Sequence, residues 1–173
     1  MKTTIEGKAF VFGNNLDTDQ IYPGQYLELA KEEDIKKHAM EGANPDFISL
    51  FQPGDIIIGG TNFGCGSSRE HAAIALKAVG AQAIVAESFA RIFYRNAINL
   101  GLPLVVSPGI SKLVSQKDTL KIDIETGRAQ NITTREDLNI QPLSDYVLDI
   151  LRMGGIKPLV RNQIQKMEAS PDM

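Results

Sequence analysis

The sequence predicts an α/β protein built on parallel β-α-β units. Two observations carry that prediction. Between Asp55 and Val106, apolar strands alternate with helical stretches in the order strand, helix, strand, helix, strand. Glycines at 80 and 101 punctuate the two helices where the chain must turn back. The length, 173 residues, fits one domain and is enough to bury a core.

Each element has its own reason. Lys8 to Phe12 reads as a short strand, closed by the turn cluster Gly13-Asn14-Asn15. Leu16-Asp17-Thr18-Asp19 follows, and Tyr22-Pro23-Gly24 makes a second turn. Lys31 to Met40 is expected to be a helix, with Glu32 and Glu33 early and Lys36, Lys37 and His38 late, as the helix dipole favours. Gly42 stops it, and Pro45 to Gln52 reads as a loop with a short helical turn. Asp55 to Ile58 is a β-branched strand behind Pro53-Gly54. A glycine-rich loop from Gly59 to Gly66 leads into a largely buried helix, Ser67 to Val79. Ala83 to Ala86 is a strand, Phe89 to Leu100 a helix, and Leu104 to Val106 a strand. Thr119 to Ile124 alternates as a strand does, and Gly127 to Ile132 pairs with it through a turn at Glu125-Thr126-Gly127. Tyr146 to Met153 is a terminal helix, and the polar tail, 162–173, is expected to fray. The expected domain organisation is a single unit, 1–173, with its core at about 7–158.

Composition excludes several functions. Eighteen basic against twenty-one acidic residues leave a net charge of −3, which argues against nucleic acid or an anionic membrane as partner. No apolar run approaches the ~18 residues of a membrane span. Met1 to Lys8 lacks the apolar centre of a signal peptide, so a cytoplasmic location is the expectation. Cys65 is the only cysteine and His38 and His71 the only histidines. These counts rule out an internal disulfide, a multi-cysteine metal site and a histidine cage in this chain.

The strongest local feature is Gly64-Cys65-Gly66-Ser67-Ser68-Arg69-Glu70-His71. Glycines before a helix permit close approach to a ligand, and a helix start favours carboxylate or phosphate. Arg69 adds a planar fork of donors for a carboxylate, and Ser67 and Ser68 add hydroxyls. The same residues fit a capping box, with Ser67 as N-cap and Glu70 reaching back, and spacing alone leaves both uses open. The loop is neither a Walker loop, nor a dinucleotide fingerprint, nor a nucleophile elbow. Cys65 as a nucleophile lacks a well-spaced histidine base, since His71 lies within the helix, so a packed thiol is the better reading. Asp17 and Asp19 fit turn-capping better than metal ligation. Arg91 and Arg95 share a helix face and are expected to pair with acids such as Glu87.

The segment Asn62 to Ala72 resembles the signature of the swivelling domain of the aconitase superfamily. Ser88-Phe89-Ala90-Arg91-Ile92-Phe93-Tyr94-Arg95-Asn96 resembles its second block, and Asp17-Thr18-Asp19-Gln20-Ile21 with Pro23-Gly24 the first. The three blocks span most of the chain, and its length is similar to that of free-standing small subunits, as in 3-isopropylmalate dehydratases and homoaconitases. The resemblance implies a swivelling β/β/α domain with a partly parallel sheet. It implies a hydro-lyase that isomerises a hydroxy-acid, a di- or tricarboxylate, by dehydration and rehydration. It places a [4Fe-4S] cluster, whose free iron is the Lewis acid, on a partner large subunit and no cofactor in this chain. It makes Ser67 the catalytic base, with Ser68, Arg69 and the loop Gly64-Cys65-Gly66 binding substrate.

The resemblance also places a substrate-specificity segment at Tyr26-Leu27-Glu28-Leu29. Homoaconitase-like members often carry Arg at the position of Glu28, and isopropylmalate-like members an apolar residue. A glutamate there repels an extra carboxylate, while Leu27 and Leu29 suit an alkyl group. The implied substrate is a branched malate, 3-isopropylmalate of leucine biosynthesis first, then citramalate or 2,3-dimethylmalate, with homocitrate as the remaining alternative. Two other classes stand beside this one: a self-sufficient enzyme using Cys65 or a serine, and a non-catalytic interaction protein that keeps the fold.

Overall fold

The computed structural model describes residues 3–169. In chain order it comprises β1 (Thr4–Val11), α1 (Thr18–Ile21), α2 (Glu32–Ile35), α3 (Phe47–Leu50), β2 (Ile56–Gly59), α4 (His71–Ala78), β3 (Ala83–Ala86) and α5 (Arg91–Asn99). Then follow β4 (Leu104–Val106), α6 (Ile110–Leu113), β5 (Thr119–Asp123), β6 (Arg128–Asn131), β7 (Glu136–Asn139), α7 (Asp145–Arg152) and α8 (Ile156–Ala169).

The strands form one sheet in the order β4-β3-β2-β1-β5-β6-β7. Half of it is parallel, with Ala9 opposite Ile56, Ile57 opposite Ile84 and Val85 opposite Val105. The other half is an antiparallel meander, with Ile5 opposite Ile122 and Ala129 opposite both Ile122 and Leu138. β1 joins the halves: Thr4 to Lys8 pair with β5, and Ala9 to Val11 pair with β2. The residue patterns explain the division. β2 and β3 are buried throughout, as strands covered on both faces must be, and they read as unbroken apolar runs. β5 alternates, with Leu120 and Ile122 inward and Lys121 in solvent. Phe47 is fully buried and meets Phe10 edge to face at 5.0 Å, a burial worth about 2–3 kcal/mol. In the antiparallel half, Asn131 is fully buried yet satisfied: its amide donates to the Leu113 carbonyl at 3.0 Å and to Asp118 Oδ2 at 2.8 Å.

Several expectations from the sequence are corrected. β1 begins at Thr4 rather than Lys8. The helix expected over Lys31 to Met40 is one short turn, α2, then a 3-10 turn at Lys36–His38. Ala39 leaves helical geometry (ψ 131°) and Met40 sits at φ 58°, because both side chains are fully buried and the Met40 N–H turns back to the Ile21 carbonyl. α4 starts at His71, four residues after Ser67, and Glu70 at its N-cap makes no side-chain cap. The Ser67–Glu70 capping box therefore does not form. α1, α6, β7 and α8 have no counterpart among the expected elements. Residues 162–169 of the expected frayed tail continue α8, and 170–173 lie outside the described residues.

Candidate active site

In parallel sheets ligands gather beyond the carboxyl ends of the strands. Three of the loops that leave those ends meet here: 12–17 after β1, 60–70 after β2 and 87–90 after β3. They are stitched together by backbone hydrogen bonds. On one side, Asn15 N–H donates to the Thr61 carbonyl (2.8 Å), Gly64 N–H to the Leu16 carbonyl (2.7 Å) and Thr18 N–H to the Cys65 carbonyl (2.8 Å). On the other, Phe63 N–H donates to the Ser88 carbonyl (3.0 Å) and Ala90 N–H to the Phe63 carbonyl (2.9 Å). The glycine-rich loop is thus the middle of a three-stranded clasp made of the three sequence blocks.

Two of its glycines are explained by packing. Gly64 has φ 79°, and a Cβ there would overlap the Phe93 ring and lie 2.6 Å from Phe93 Cβ. Phe93 is itself buried against Phe63, so it has no room to retreat. Gly66 has φ 107° and lies against Thr18, whose Oγ1 is 3.0 Å from where a Cβ would stand. Gly64 is buried, and its N–H is committed to the Leu16 carbonyl, so it shapes the loop from beneath. Cys65 is a half-buried free thiol whose carbonyl belongs to the clasp.

The polar residues beyond the clasp face outward. Ser67 is half-buried; its N–H donates to Thr18 Oγ1 at 2.9 Å, and its Oγ accepts the Arg69 N–H at 3.3 Å. Ser68 is exposed, and its carbonyl accepts from Asn96 Nδ2 at 3.1 Å, tying the loop to α5. Arg69 is exposed, and among the described residues no carboxylate lies within ion-pair distance of it. Its Nη1 and Asp19 Oδ1 both lie next to Gly24, 3.4 and 3.7 Å from the position a Gly24 Cβ would take. Ser67, Arg69, Asp19, Thr18, Tyr22 and Leu27 share a cleft of about 10 Å³, room for about one water.

Asp17 caps α1: its Oδ1 accepts the Gln20 N–H at 2.9 Å, and Gln20 returns the bond to the Asp17 N–H at 3.0 Å. This is the capping role expected of it. Asp19 instead lies beside Arg69 at the cleft, a placement the sequence reading missed. Arg91 and Arg95 are exposed on α5 and do not pair with Glu87, whose carboxylate accepts the Gly109 N–H at 2.7 Å and the Ser111 N–H and hydroxyl. These bonds, the Ser111 hydroxyl foremost, hold Glu87 below the usual carboxylate range. Of the specificity segment, Leu27 lines the cleft and Glu28 is exposed. His38, at the end of the 3-10 turn, is half-buried against Tyr26.

Among the described residues no group of three or more His, Cys, Asp or Glu is arranged to hold a metal. A [4Fe-4S] cluster needs three cysteines and this chain has Cys65 alone, so its residues do not fit that group. No helix of the described residues is long and apolar enough to cross a membrane.

A half-parallel sheet that presents a Gly-Cys-Gly-Ser-Ser-Arg loop across its strand ends has the architecture of an aconitase-type swivelling domain. The model of the aconitase C-terminal domain matches residues 50–109. Along nearly its whole length the chain is similar to several curated proteins. The isopropylmalate/citramalate isomerase small subunit of Methanocaldococcus jannaschii is 49% identical, covering 97% of this chain and 100% of that one. The 3-isopropylmalate dehydratase small subunit 1 of Methanopyrus kandleri is 50% identical, covering 94% and 96%. The methanogen homoaconitase small subunit of Methanothermobacter thermautotrophicus is 47% identical, covering 90% of each. The crystal structure of 3-isopropylmalate dehydratase from M. jannaschii superposes with a TM-score of 0.89 at 36% identity, over 95% of this chain and 99% of that one. The chain belongs to the family of 3-isopropylmalate dehydratase small subunits.

Proposed function

We propose that this chain is the small subunit of a two-subunit hydro-lyase that interconverts 3-isopropylmalate and 2-isopropylmalate in leucine biosynthesis. The observation that carries the reading is the pairing of the Ser67 hydroxyl with the unpaired Arg69 guanidinium on one cleft. Arg69 suits a substrate carboxylate, which it meets as a two-pronged donor. Ser67 Oγ, beside it, is the base that takes the proton from the carbon next to that carboxylate. The electrons of that C–H bond form the double bond, and the hydroxyl on the neighbouring carbon leaves with its bonding pair as hydroxide, becoming water with a proton from an acid assigned to the large subunit. Addition of water in the opposite sense completes the isomerisation. A serine hydroxyl is a weak base in water; the Arg69 N–H on Oγ and the nearby guanidinium both favour its alkoxide. Ser68, exposed beside them, is a second hydroxyl for the substrate.

A cleft with room for one water cannot enclose a branched dicarboxylate. The rest of the wall, and the [4Fe-4S] cluster for which this chain has no ligand set, are assigned to a large subunit. Leu27 rather than Glu28 borders the cleft, which favours an alkyl substituent over a further carboxylate. Citramalate and 2,3-dimethylmalate share that alkyl character and are the runners-up. The reading includes a cytoplasmic location.

The test is anaerobic reconstitution with the large subunit and assay on 3-isopropylmalate, citramalate, dimethylmalate and homocitrate. The expected result is turnover of 3-isopropylmalate in the complex, none by either chain alone, and a Ser67→Ala complex that assembles but loses at least ~100-fold in kcat. Substantial activity of this chain alone, a preference for homocitrate, or a near-normal kcat for the variant would each overturn the reading.

A further inference from the structure

Tyr26 is fixed on two sides. Its hydroxyl donates to Glu41 Oε1 at 2.8 Å, and its ring stacks on the His38 imidazole with centroids 3.5 Å apart and planes 14° apart. His38 Nδ1 lies 2.6 Å from the other Glu41 oxygen, so the three side chains close a ring of contacts. The His38 contact first, and Tyr26 second, hold Glu41 below the usual carboxylate range, which keeps it an acceptor for both. The Tyr26 backbone is fixed as well: its carbonyl accepts the hydroxyl of buried Tyr22 at 2.8 Å. The Tyr22 ring stacks on His71, 5.7 Å away, the first residue of α4 and two residues after Arg69. Leu27, next to Tyr26, lines the cleft with Ser67 and Arg69.

Sequence separation shows that this is not a local accident. Glu41 lies fifteen residues from Tyr26, beyond the reversal at Met40 (φ 58°) that breaks the expected helix. That reversal brings Glu41 and His38 to the same face of Tyr26. None of the three touches Ser67 or Arg69 by hydrogen bond or ion pair.

We propose that Glu41 and His38 are positioning residues that hold Tyr26, and through it the Leu27 wall of the substrate cleft, and so set which alkyl group the site accepts. The inference rests on the site described under Proposed function. It predicts an effect on binding and selection, with the chemical step at Ser67 left intact.

The experiment compares Glu41→Ala, Glu41→Gln, His38→Ala and Tyr26→Phe in the reconstituted complex. Glu41→Ala and His38→Ala are expected to raise KM for 3-isopropylmalate about five- to tenfold with kcat within about twofold, the loss of roughly one net hydrogen bond. Glu41→Gln, whose amide oxygen still accepts from Tyr26, is expected to recover most of that loss. Tyr26→Phe combined with Glu41→Ala is expected to be no worse than Glu41→Ala alone, because that variant already breaks the Tyr26–Glu41 contact. Hydrogen exchange at the Leu27 and Leu29 amides, which bond to the Gly24 and Tyr26 carbonyls, is the second readout and needs no activity. It is expected to quicken about tenfold in Glu41→Ala. Unchanged exchange there, or a wild-type KM and substrate preference in Glu41→Ala and His38→Ala, overturns the proposal. A wild-type complex inert on every substrate, with exchange altered as expected, overturns the functional reading and leaves the brace standing.

Discussion

Thr18 is the residue on which the position of Ser67 turns. It is 5% exposed, and its Oγ1 accepts the Ser67 N–H at 2.9 Å. Its own N–H donates to the Cys65 carbonyl. Thr18→Val keeps shape and volume and removes the acceptor. The Ser67 N–H then loses its protein partner. Losing that hydrogen bond costs about 0.5–1.5 kcal/mol. The valine methyl would also stand 2.9 Å from Ser67 N, well inside the ~3.5 Å at which non-bonded heavy atoms are comfortable, so the loop must shift by about half an ångström. A 1 Å error in a catalytic group costs about 100-fold, so roughly tenfold in kcat is expected here. Urea unfolding of the chain should show a midpoint about 1 M lower, and the reconstituted complex the fall in kcat. Thr18→Ser, which keeps the hydroxyl, should restore kcat. An unchanged urea midpoint together with an unchanged kcat in Thr18→Val would refute the reasoning.

Gly64→Ala combines a left-handed backbone with overlap on a buried Phe93, and about 3–5 kcal/mol of destabilisation is expected in urea; a loss under about 1 kcal/mol would mean that Phe93 yields. Asn131→Ala removes a fully buried amide that bonds Asp118 and the Leu113 carbonyl and accepts the Thr133 N–H, so about 3 kcal/mol is expected by the same measurement. Glu87 titrates lower folded than its ordinary 4.5, so the stability it contributes is complete above that pH and is lost as pH falls through the folded value. Urea midpoints measured from about pH 6 down to about pH 3 should therefore fall less steeply in Glu87→Gln than in the wild type. Parallel curves for the two proteins would remove Glu87 from the account.

Much of this molecule was legible in the sequence because its signals are local. The parallel half of the sheet could be read from β2, β3 and β4, since strands buried on both faces must be apolar throughout. The Gly-Cys-Gly-Ser-Ser-Arg loop could be found because glycine, hydroxyl and guanidinium chemistry is written in residue types. β7 was missed because Glu136-Asp137-Leu138-Asn139 is a polar edge strand with one inward residue. α8 was missed because its polar composition hides a helix that buries Leu159 and leaves most of its surface in solvent.

The errors at Ser67 and at Lys31 to Met40 share a cause. Local capping and dipole signals favoured a helix in both places, and each is worth about 1 kcal/mol. Both lost to long-range terms. The Ser67 backbone N–H is committed to Thr18, forty-nine residues away, so α4 waits until His71. Met40 turns back because complete burial and a bond to the Ile21 carbonyl outweigh one more helical turn.

The sequence by itself determined the fold class, the residue types of the candidate site and, through Cys65, that this chain lacks the cysteines an iron–sulfur cluster needs. These follow from composition and short-range pattern, which need no knowledge of what lies opposite. Only the tertiary structure decided that the loops after β1, β2 and β3 close into one clasp, that Asp19 and Leu27 share the cleft with Ser67 and Arg69, and that Glu41 reaches Tyr26. Those pairings join residues far apart in the chain. They are set by which strand ends the parallel sheet brings together, and no local pattern encodes that.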